Sequence, residues 1–216
     1  MSADDVRAEA QRELLLDVTT LMDWRRRVSE LYREVRDDPV PPHAWEHWRA
    51  VRDELLCSHP QSPLAEKCRE HEGARYYDYD PALRLTGELV DAERLELDIA
   101  TSRWSSYRFT RFARVGLELR ARQFSLDCYW LQGYGGGLFL PFGDITNGTT
   151  TYGAGRYLLD TVKGADLGVE DSRLVLDFNF AYNPSCAYDR RWVCPLAPPG
   201  NRLAAAVRGG ELSPDR

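Results

Sequence analysis

The spacing of apolar positions divides the chain into two parts near residue 72. In the first part, apolar residues recur every three or four positions, which is typical of amphipathic helices. Pro39, Pro41 and Pro42 end a first helix and begin a second, and Ser62-Pro63 predicts the start of a short third one. We therefore predict a helical region over residues 1–72. The apolar stripe of the first helix consists of Leu14, Val18, Leu21, Val28, Leu31 and Val35.

From residue 73 onward, apolar and polar residues alternate, which is typical of strands with one buried face. The alternation changes phase between Leu119 and Phe124, which predicts a turn near Arg120–Gln123. Short strands with no helix between them favour an antiparallel barrel or sandwich. The predicted fold class is α+β, with N-terminal helices followed by an antiparallel β-barrel or sandwich over residues 73–216 and an irregular C-terminal cap. Strands are predicted near residues 83–85, 95–99, 107–109, 115–119, 124–130, 138–142 and 174–180.

Composition and charge narrow the classes of function. The 216 residues are 43% hydrophobic and 29% charged, with a net charge of −6. An acidic chain whose Lys and Arg do not gather on one face is a poor nucleic-acid binder, so we expect no nucleic-acid partner. No apolar run approaches the roughly 20 residues that span a bilayer, so we expect no membrane partner. The acidic N-terminus and the five irregularly spaced cysteines indicate a cytoplasmic protein with free thiols.

The stretch from Leu176 to Leu203 is irregular and rich in proline. The strand that leads into it ends at Asn183-Pro184, where the proline forbids further pairing. A long irregular segment in a compact domain is usually functional or anchored. We predict that its apolar side chains anchor it to the sheet as a cap, and that asparagine side chains hold its backbone. These asparagines are Asn179, Asn183 and Asn201.

Arg156 is the centre of the predicted ligand site, because it lies among tyrosines and glycines in residues 151–158. A guanidinium can form a fork with a carboxylate of a ligand or of the protein itself, and Asp177 is the natural internal partner. Internal pairing is the more usual arrangement for a buried charge. The favoured function is a small-molecule-binding β-domain, and the sequence indicates no particular cofactor. The predicted ligand-binding residues are Tyr152, Arg156, Asp177, Tyr182, Asn183 and Trp192.

Two other functions stay open. An enzyme on the same site would use Asp144 or Asp177 as a general acid or base, or Cys186 as a nucleophile. Cys186 and Cys194 are interpreted first as structural thiols, because all four His lie at or before residue 71. An interaction protein would instead use the helical stripe to dock onto a partner or onto a second copy of the chain, giving a homo-oligomer.

Two groups of histidines suggest a metal site, and both are interpreted as structural. His43 and His47 have the H-x-x-E-H spacing of inverted zinc peptidases, in which two His share a helix face. The downstream chain is mostly strand and offers no third ligand from a helix, so we predict that both His flank a Trp-rich packing face. The second group has no C-x-x-C spacing and is predicted to line a helix contact. Its members are Cys57, His59, Cys68 and His71.

Several long stretches resemble one family. "TYGAGRYL", "LDFNFAYNPSCAYD" and "CPLAPPGNRL" are similar to the signature of the bacterial and archaeal family called domain of unknown function 1684. "WRAVRDELL" with "SPL", and "GARYYDYDPALRL", are similar to that family's upstream part. The resemblance covers roughly residues 45–211 and leaves residues 1–40 as an extension. It implies a mixed helical and β protein with its signature in residues 151–158 and 176–203, and it implies no activity.

Overall fold

The first two predicted helices are present and pack against each other. The computed structural model describes residues 3–64 and 73–214, without the side chains of residues 3–5 and 8. Helix α1 spans Ala3–Asp37 and helix α2 spans Pro41–Ser58. Two prolines open α2, where the missing backbone N–H groups have no helical partner to lose. Residues 62–64 are turn and bend rather than helix, and the rest of the predicted third helix, with Cys68 and His71, lies outside the described residues.

Helix α1 buries only the second half of its apolar stripe. Leu31 and Val35 lie in the main core together with Trp45 and Trp48 of α2. The first half of the stripe is not covered by any part of the chain that the structure describes. The exposed apolar residues of this part of α1, both in the stripe and beside it, are Leu14, Leu15, Leu16, Val18, Leu21 and Met22. Neither described helix combines the length and apolarity needed to cross a membrane.

The strands that follow form two antiparallel sheets, so the fold class is α+β, as predicted. The larger sheet has the order β2-β3-β4-β5-β6, and the smaller has the order β1-β8-β7. No ladder within the described ranges joins β2 to β6, so the larger sheet is open rather than a closed barrel. The strands are β1 Arg84–Gly87, β2 Leu89–Ala100, β3 Ser106–Leu119, β4 Arg122–Leu131, β5 Gly137–Phe142, β6 Arg156–Asp160, β7 Val169–Glu170 and β8 Arg173–Asp177.

The predicted turn at Arg120–Gln123 is present. Arg120 and Ala121 have φ of 51° and 60° and form the two-residue connection between β3 and β4. The two strands predicted near residues 107–109 and 115–119 are one strand, β3. A register shift against β4 between Arg111 and Ala113 separates Phe109, which packs in a smaller cluster with Tyr129, from Val115, which packs in the main core.

Three strands differ from the prediction. β6 and the two-residue strand β7 lie in stretches for which no strand was predicted. All five residues of β6 are buried, so its sequence shows no alternation. β8 ends at Asp177 rather than Phe180. The Asp177 carboxylate accepts the backbone N–H of Asn179 at 3.0 Å and begins a short 3₁₀ turn over Phe178–Phe180.

The C-terminal tail, residues 181–214, lies against the end of the larger sheet. Tyr182 exchanges two backbone hydrogen bonds with Tyr157 of β6, at 2.9 and 3.0 Å. Leu196 donates to the carbonyl of Ala100 at 2.9 Å, at the end of β2. The tail has little regular structure of its own, so these contacts with strands fix its path.

The three predicted asparagines hold this irregular backbone. Asn179 accepts the N–H of Asp80 and donates to its carbonyl, both at 2.9 Å. Asn183 donates to the carbonyl of Leu212 at 2.7 Å. Asn201 donates to the carbonyl of Pro141 at 2.8 Å. All three are buried, so each amide satisfies backbone groups that have no ladder partner.

Candidate functional site

Arg156, the centre of the predicted ligand site, is an internal anchor for the tail. Its side chain is fully buried and donates to the carbonyls of Val207 at 2.9 Å and Glu211 at 3.2 Å, and also to that of Gly209. Its guanidinium pairs with the Asp144 carboxylate at 3.0 Å. The tail fills the space in which a ligand was predicted, so the guanidinium has no open side for a ligand carboxylate.

The predicted pairing of Arg156 with Asp177 is wrong. Asp144 takes that place because it lies in the turn after β5, and β5 pairs directly with β6. The other oxygen of Asp144 accepts the backbone N–H groups of Thr146 at 2.8 Å and Val207 at 3.3 Å. Both carboxylate oxygens are therefore bound within the protein, so Asp144 has no free oxygen for acid–base work on a ligand.

A second buried ion pair fixes the tail to helix α2. Arg52 pairs with Glu211, whose side chain is fully buried. The second oxygen of Glu211 accepts the N–H of Asn183 at 2.6 Å and the hydroxyl of Tyr188 at 2.7 Å. The Arg52 guanidinium also stacks 4.9 Å from the ring centre of Tyr182. Burial raises the pKa of Tyr188 and Tyr182 well above the usual value, so both hydroxyls stay protonated in this network.

The six predicted ligand residues do not share one pocket. Tyr182 and Asn183 line a cavity of about 70 Å³ beside Arg52, which is large enough only for water. Trp192 lies in a shallow depression beside Arg191, and its indole N–H donates to the carbonyl of Pro63 at 3.3 Å. The remaining three are Arg156, inside the core, and Asp177 and Tyr152, in two further places.

Asp177 lies between the smaller sheet and the helices. It lines a cavity of about 120 Å³ together with Arg84, Glu170 and Arg36. One carboxylate oxygen accepts the side-chain amide of Asn179 at 2.8 Å, and the other has no hydrogen-bond partner among the described residues. Desolvation by burial raises the pKa of Asp177 to about 6, although Asn179 and Arg84 oppose the shift. This carboxyl is a buried capping group with a perturbed pKa, remote from Arg156.

The largest hollow near the tail is lined by Tyr152 and Cys186. It has a volume of about 670 Å³ and is open to solvent on one side. The tail supplies Cys186 and Arg190, and the connection between β2 and β3 supplies Ser102, Arg103 and Trp104. Trp104 is fully exposed at the rim. We call this the Cys186 hollow, because Cys186 lines it.

Local hydrogen bonds fix the walls of the Cys186 hollow. The Thr101 hydroxyl donates to the carbonyl of Ser105 at 2.9 Å and closes the β2–β3 connection. The N–H of Ser102 donates to the carbonyl of Cys194 at 2.9 Å, which joins this connection to the tail. Arg103 donates to the carbonyl of Arg190 at 2.7 Å and holds the two walls together. The hollow therefore exists only when the tail lies against the hairpin.

The Cys186 hollow carries positive charge. Within the described ranges, no carboxylate forms an ion pair with Arg103 or Arg190, in contrast to Arg156. The pKa of the Cys186 thiol is lowered to about 6, first by a hydrogen bond from Cys194, against desolvation, and then by Ser102 and Tyr152. The Tyr152 hydroxyl lies 3.7 Å from the sulfur. These hydrogen bonds therefore favour the thiolate form of Cys186.

Cys194 is the direct neighbour of this thiolate. Its sulfur accepts the backbone N–H of Cys186 at 3.3 Å, and its own S–H is directed to the Cys186 sulfur. This hydrogen bond and burial raise the pKa of Cys194, so it remains a thiol. Both residues are free cysteines, as are Cys57 and Cys128. Burial raises the pKa of Cys128 to about 12 and that of Cys57 above its usual value. Of these four thiols, only Cys186 is activated.

The histidine pair of α2 lies far from this hollow. His43 bonds to Asp38 at 2.5 Å, and His47 bonds to Glu34 at 2.8 Å. Both imidazoles are exposed and flank Trp45 and Trp48, which are buried. No group of three or more metal-ligating side chains occurs in the residues that the structure describes.

His59, from the second histidine group, packs against helix α1. Its ring bonds to Asp23 at 3.2 Å and lies edge-on to Trp24, with 5.2 Å between the ring centres. Cys57 is half-buried on α2. These contacts between α1 and the end of α2 match the helix-contact interpretation for the two members of the group that the structure describes.

Four of the six hollow residues were not predicted from the sequence, namely Ser102, Arg103, Trp104 and Arg190. One feature of the sequence does point to this part of the hollow. Trp104 lies in a short polar connection between two strands, where a large aromatic side chain has no core to enter. The pairing of that connection with residues 90 positions later in the chain could not be read from periodicity.

Comparison with known proteins identifies the family. The family described as "Protein of unknown function (DUF1684)" matches residues 69–212, which include both cysteines, Arg156 and most of the tail. The chain belongs to this family. It is similar to the solution NMR structure of an uncharacterized protein of Haloarcula marismortui, with 33% identity and a TM-score of 0.56. That similarity covers 76% of this chain and 89% of the other. No curated protein matches the chain.

Proposed function

We propose that the protein binds a small organic anion in the Cys186 hollow. The observation that carries this proposal is the presence, in one open hollow, of two arginines without carboxylate partners and two aromatic side chains. The arginines are Arg103 and Arg190, and the aromatic residues are Trp104 and Tyr152. This keeps the small-molecule-binding function expected from the sequence but moves the site from Arg156 to the other side of the tail.

The size and charge of the hollow make it a better candidate for a ligand site than the other cavities. Ligand pockets usually have volumes of about 300–1,000 Å³, and the hollow of about 670 Å³ falls in this range. A guanidinium that has no carboxylate partner within the protein is suited to a carboxylate or phosphate of a ligand, because its planar fork matches these groups. The flat faces of Trp104 and Tyr152 fit an apolar ring or chain. The preferred ligand is therefore a carboxylate with an apolar part.

Titration calorimetry with benzoate tests this proposal, and benzylamine has the same ring with the opposite charge. We expect benzoate to bind and benzylamine not to bind. Arg190→Ala should weaken benzoate binding about tenfold, because one charge-assisted hydrogen bond is lost. Arg94→Ala is the matched control, since Arg94 is an exposed arginine on β2 outside the hollow. Equal binding of benzylamine, or no effect of Arg190→Ala, would contradict the proposal.

A second candidate function is self-association through helix α1. The observation that favours it is the bare apolar first half of the stripe, from Leu14 to Met22. The helix is acidic before this stripe and basic after it. A second copy that packs antiparallel about Val18 would bring Glu9 opposite Arg27. The occupant that fits this face is therefore a second copy of the chain.

Light scattering after size-exclusion chromatography measures this association. We expect the protein to be a dimer, and the double variant Leu14→Glu, Leu21→Glu to be a monomer with an unchanged fold. Leu95→Glu is the control, because Leu95 is also an exposed leucine but lies on β2. A wild-type monomer at all concentrations would exclude the dimer. A complex with another protein in place of the dimer would mean that the stripe binds that protein and not a second copy of the chain.

Two finer expectations complete the proposal. The two sheets share one apolar core that includes Val115 and Leu176, which supports a sandwich-like packing of the sheets. Four free cysteines support a reducing compartment, and we place the protein in the cytoplasm on that basis. Solvent exchange of the sheet amides and fractionation of cells that express the tagged chain test these two expectations.

A further inference from the structure

We propose that Cys186 and Cys194 form a redox pair, in which Cys186 reduces a hydroperoxide and Cys194 then closes a disulfide with it. This inference rests on the proposed function, since the hollow that receives the ligand is also the route to Cys186. It adds an activity and a class of substrate. The observation behind it is that the Cys194 sulfur accepts the backbone N–H of Cys186 at 3.3 Å, so two free cysteines adjoin, and of the two only Cys186 lines the hollow.

The positions of the two sulfurs assign their roles. Cys186 lines the hollow and Cys194 does not, although both residues are buried, with 5% and 4% of their surface exposed. The 3₁₀ turn Ser185–Ala187 presents Cys186, and the bond between Ser102 and Cys194 holds the second thiol beside it. The sulfur of Cys194 lies 3.3 Å from the backbone nitrogen of Cys186, so the two side chains start from positions in contact. Cys186 is therefore the attacking sulfur and Cys194 the resolving sulfur.

The surroundings of Cys186 support attack on a peroxide. The thiolate is the nucleophilic form, and a thiol with a pKa near 6 has about thirty times more thiolate at pH 7 than a free cysteine. Arg103 and Arg190 supply positive charge where the departing oxygen gains negative charge. The S–H of Cys194 and the O–H of Tyr152 hold the thiolate in place. Cys57 and Cys128 lack these neighbours.

The chemistry balances in two steps. The Cys186 thiolate attacks the terminal oxygen of ROOH, so an S–O bond forms and the O–O bond breaks. The sulfur is oxidised to a sulfenic acid, and the leaving alkoxide takes a proton from water to become ROH. The Cys194 thiol then attacks the sulfenic sulfur, an S–S bond forms, and the hydroxyl leaves with the thiol proton as water. An external dithiol supplies two electrons, reduces the disulfide and becomes a disulfide itself.

The first experiment treats the full chain with one equivalent of tert-butyl hydroperoxide and maps the cysteines by peptide mass spectrometry. We expect a disulfide between Cys186 and Cys194 and no change at Cys57 or Cys128. In Cys194→Ala the oxidation should stop at a sulfenic acid on Cys186, trapped by dimedone. Cys57→Ser is the matched control and should still form the disulfide. Wild-type protein that gives no disulfide between these two cysteines would overturn the proposal.

A second measurement separates a redox role from a packing role and does not depend on the peroxide. The rate of alkylation of Cys186 by iodoacetamide is followed against pH, with a midpoint expected near 6. Cys194→Ala should move this midpoint upward, because it removes the S–H that stabilises the thiolate. If Cys194→Ala folds and leaves this midpoint unchanged, the result contradicts the assigned pairing of the two cysteines.

Benzoate binding on the same samples distinguishes the failure of this inference from the failure of the proposed function. Benzoate binding without disulfide formation would contradict the redox pair and would still support the anion site. Disulfide formation without benzoate binding supports the redox pair and overturns the anion site. If Cys194→Ala fails to fold, the peptide map of the wild-type chain still decides the outcome.

Discussion

Arginines lie on two sides of the tail, and the two sides differ in what those arginines bind. On the inner side, Arg156 is completely buried and binds Asp144 and three tail carbonyls. On the outer side, Arg103 and Arg190 face an open hollow and lack carboxylate partners among the described residues. Glycines and tyrosines around an arginine can therefore indicate that the arginine binds the protein's own backbone. The more open arginines are the better candidates for a ligand.

The largest effect should come from breaking the inner side at Arg156. Arg156→Met leaves the buried Asp144 carboxylate without its counterion, and such a change costs about 3–5 kcal/mol of unfolding free energy. Urea denaturation measures it. Arg94→Met, on the exposed face of β2, should change the unfolding free energy by less than about 0.5 kcal/mol. If Arg156→Met changes the unfolding free energy as little as Arg94→Met does, Arg156 is not an anchor for the tail, and the result would favour a ligand-binding role instead.

The pair of Arg52 and Glu211 should be the next most sensitive point. Either Arg52→Met or Glu211→Gln alone should destabilise the fold by about 2–4 kcal/mol, since each leaves a buried partner unpaired. The double variant should lose clearly less than the sum of the two. A double-mutant cycle from urea denaturation gives the coupling, and simple additivity would show that the two groups do not interact.

Asp177, which lies between the smaller sheet and the helices, gives the stability of the fold a dependence on pH. Its folded pKa of about 6 lies above the unfolded value of 3.8, so the folded state keeps a proton that the unfolded state has lost. This stabilisation is fully present below pH 4 and is lost as pH rises through 6. Asp177→Asn removes it, so the stability of the variant relative to wild type should rise by about 2 kcal/mol between pH 4 and pH 7.

Urea denaturation at several pH values measures this difference between Asp177→Asn and wild type. Asp171→Asn is the control, because Asp171 is exposed in the turn between β7 and β8. It should follow wild type at every pH. A constant difference between Asp177→Asn and wild type across the range would mean that the Asp177 carboxyl does not keep its proton in the folded state.

The smallest effect is expected on the outer side, at Tyr152. Tyr152→Phe removes the hydroxyl that lies 3.7 Å from the Cys186 sulfur. The pKa of Cys186 should rise by a few tenths, and the unfolding free energy should change by less than about 1 kcal/mol. The pH profile of iodoacetamide alkylation measures the first quantity and urea denaturation the second. A large loss of stability would place Tyr152 with the inner anchors.

The sequence predicted the local parts of this protein well. The helical and strand periods gave α1, α2 and most strands, because periodicity reflects which side of an element is buried. The asparagines Asn179, Asn183 and Asn201 were correctly expected to hold loop backbone, because their amides suit unpaired N–H and C=O groups. β6 escaped the prediction because complete burial erases alternation.

The sequence by itself determined the α+β class, the family and an irregular tail held by its asparagines. The tertiary structure decided which charged groups meet. Asp144 rather than Asp177 reaches Arg156, and Glu211 reaches Arg52 across 159 positions of chain. It also decided that Arg103 faces Cys186. The physical reason is that periodicity reports only whether a residue is buried, whereas the partner of a charge depends on strand order and on the path of an aperiodic tail.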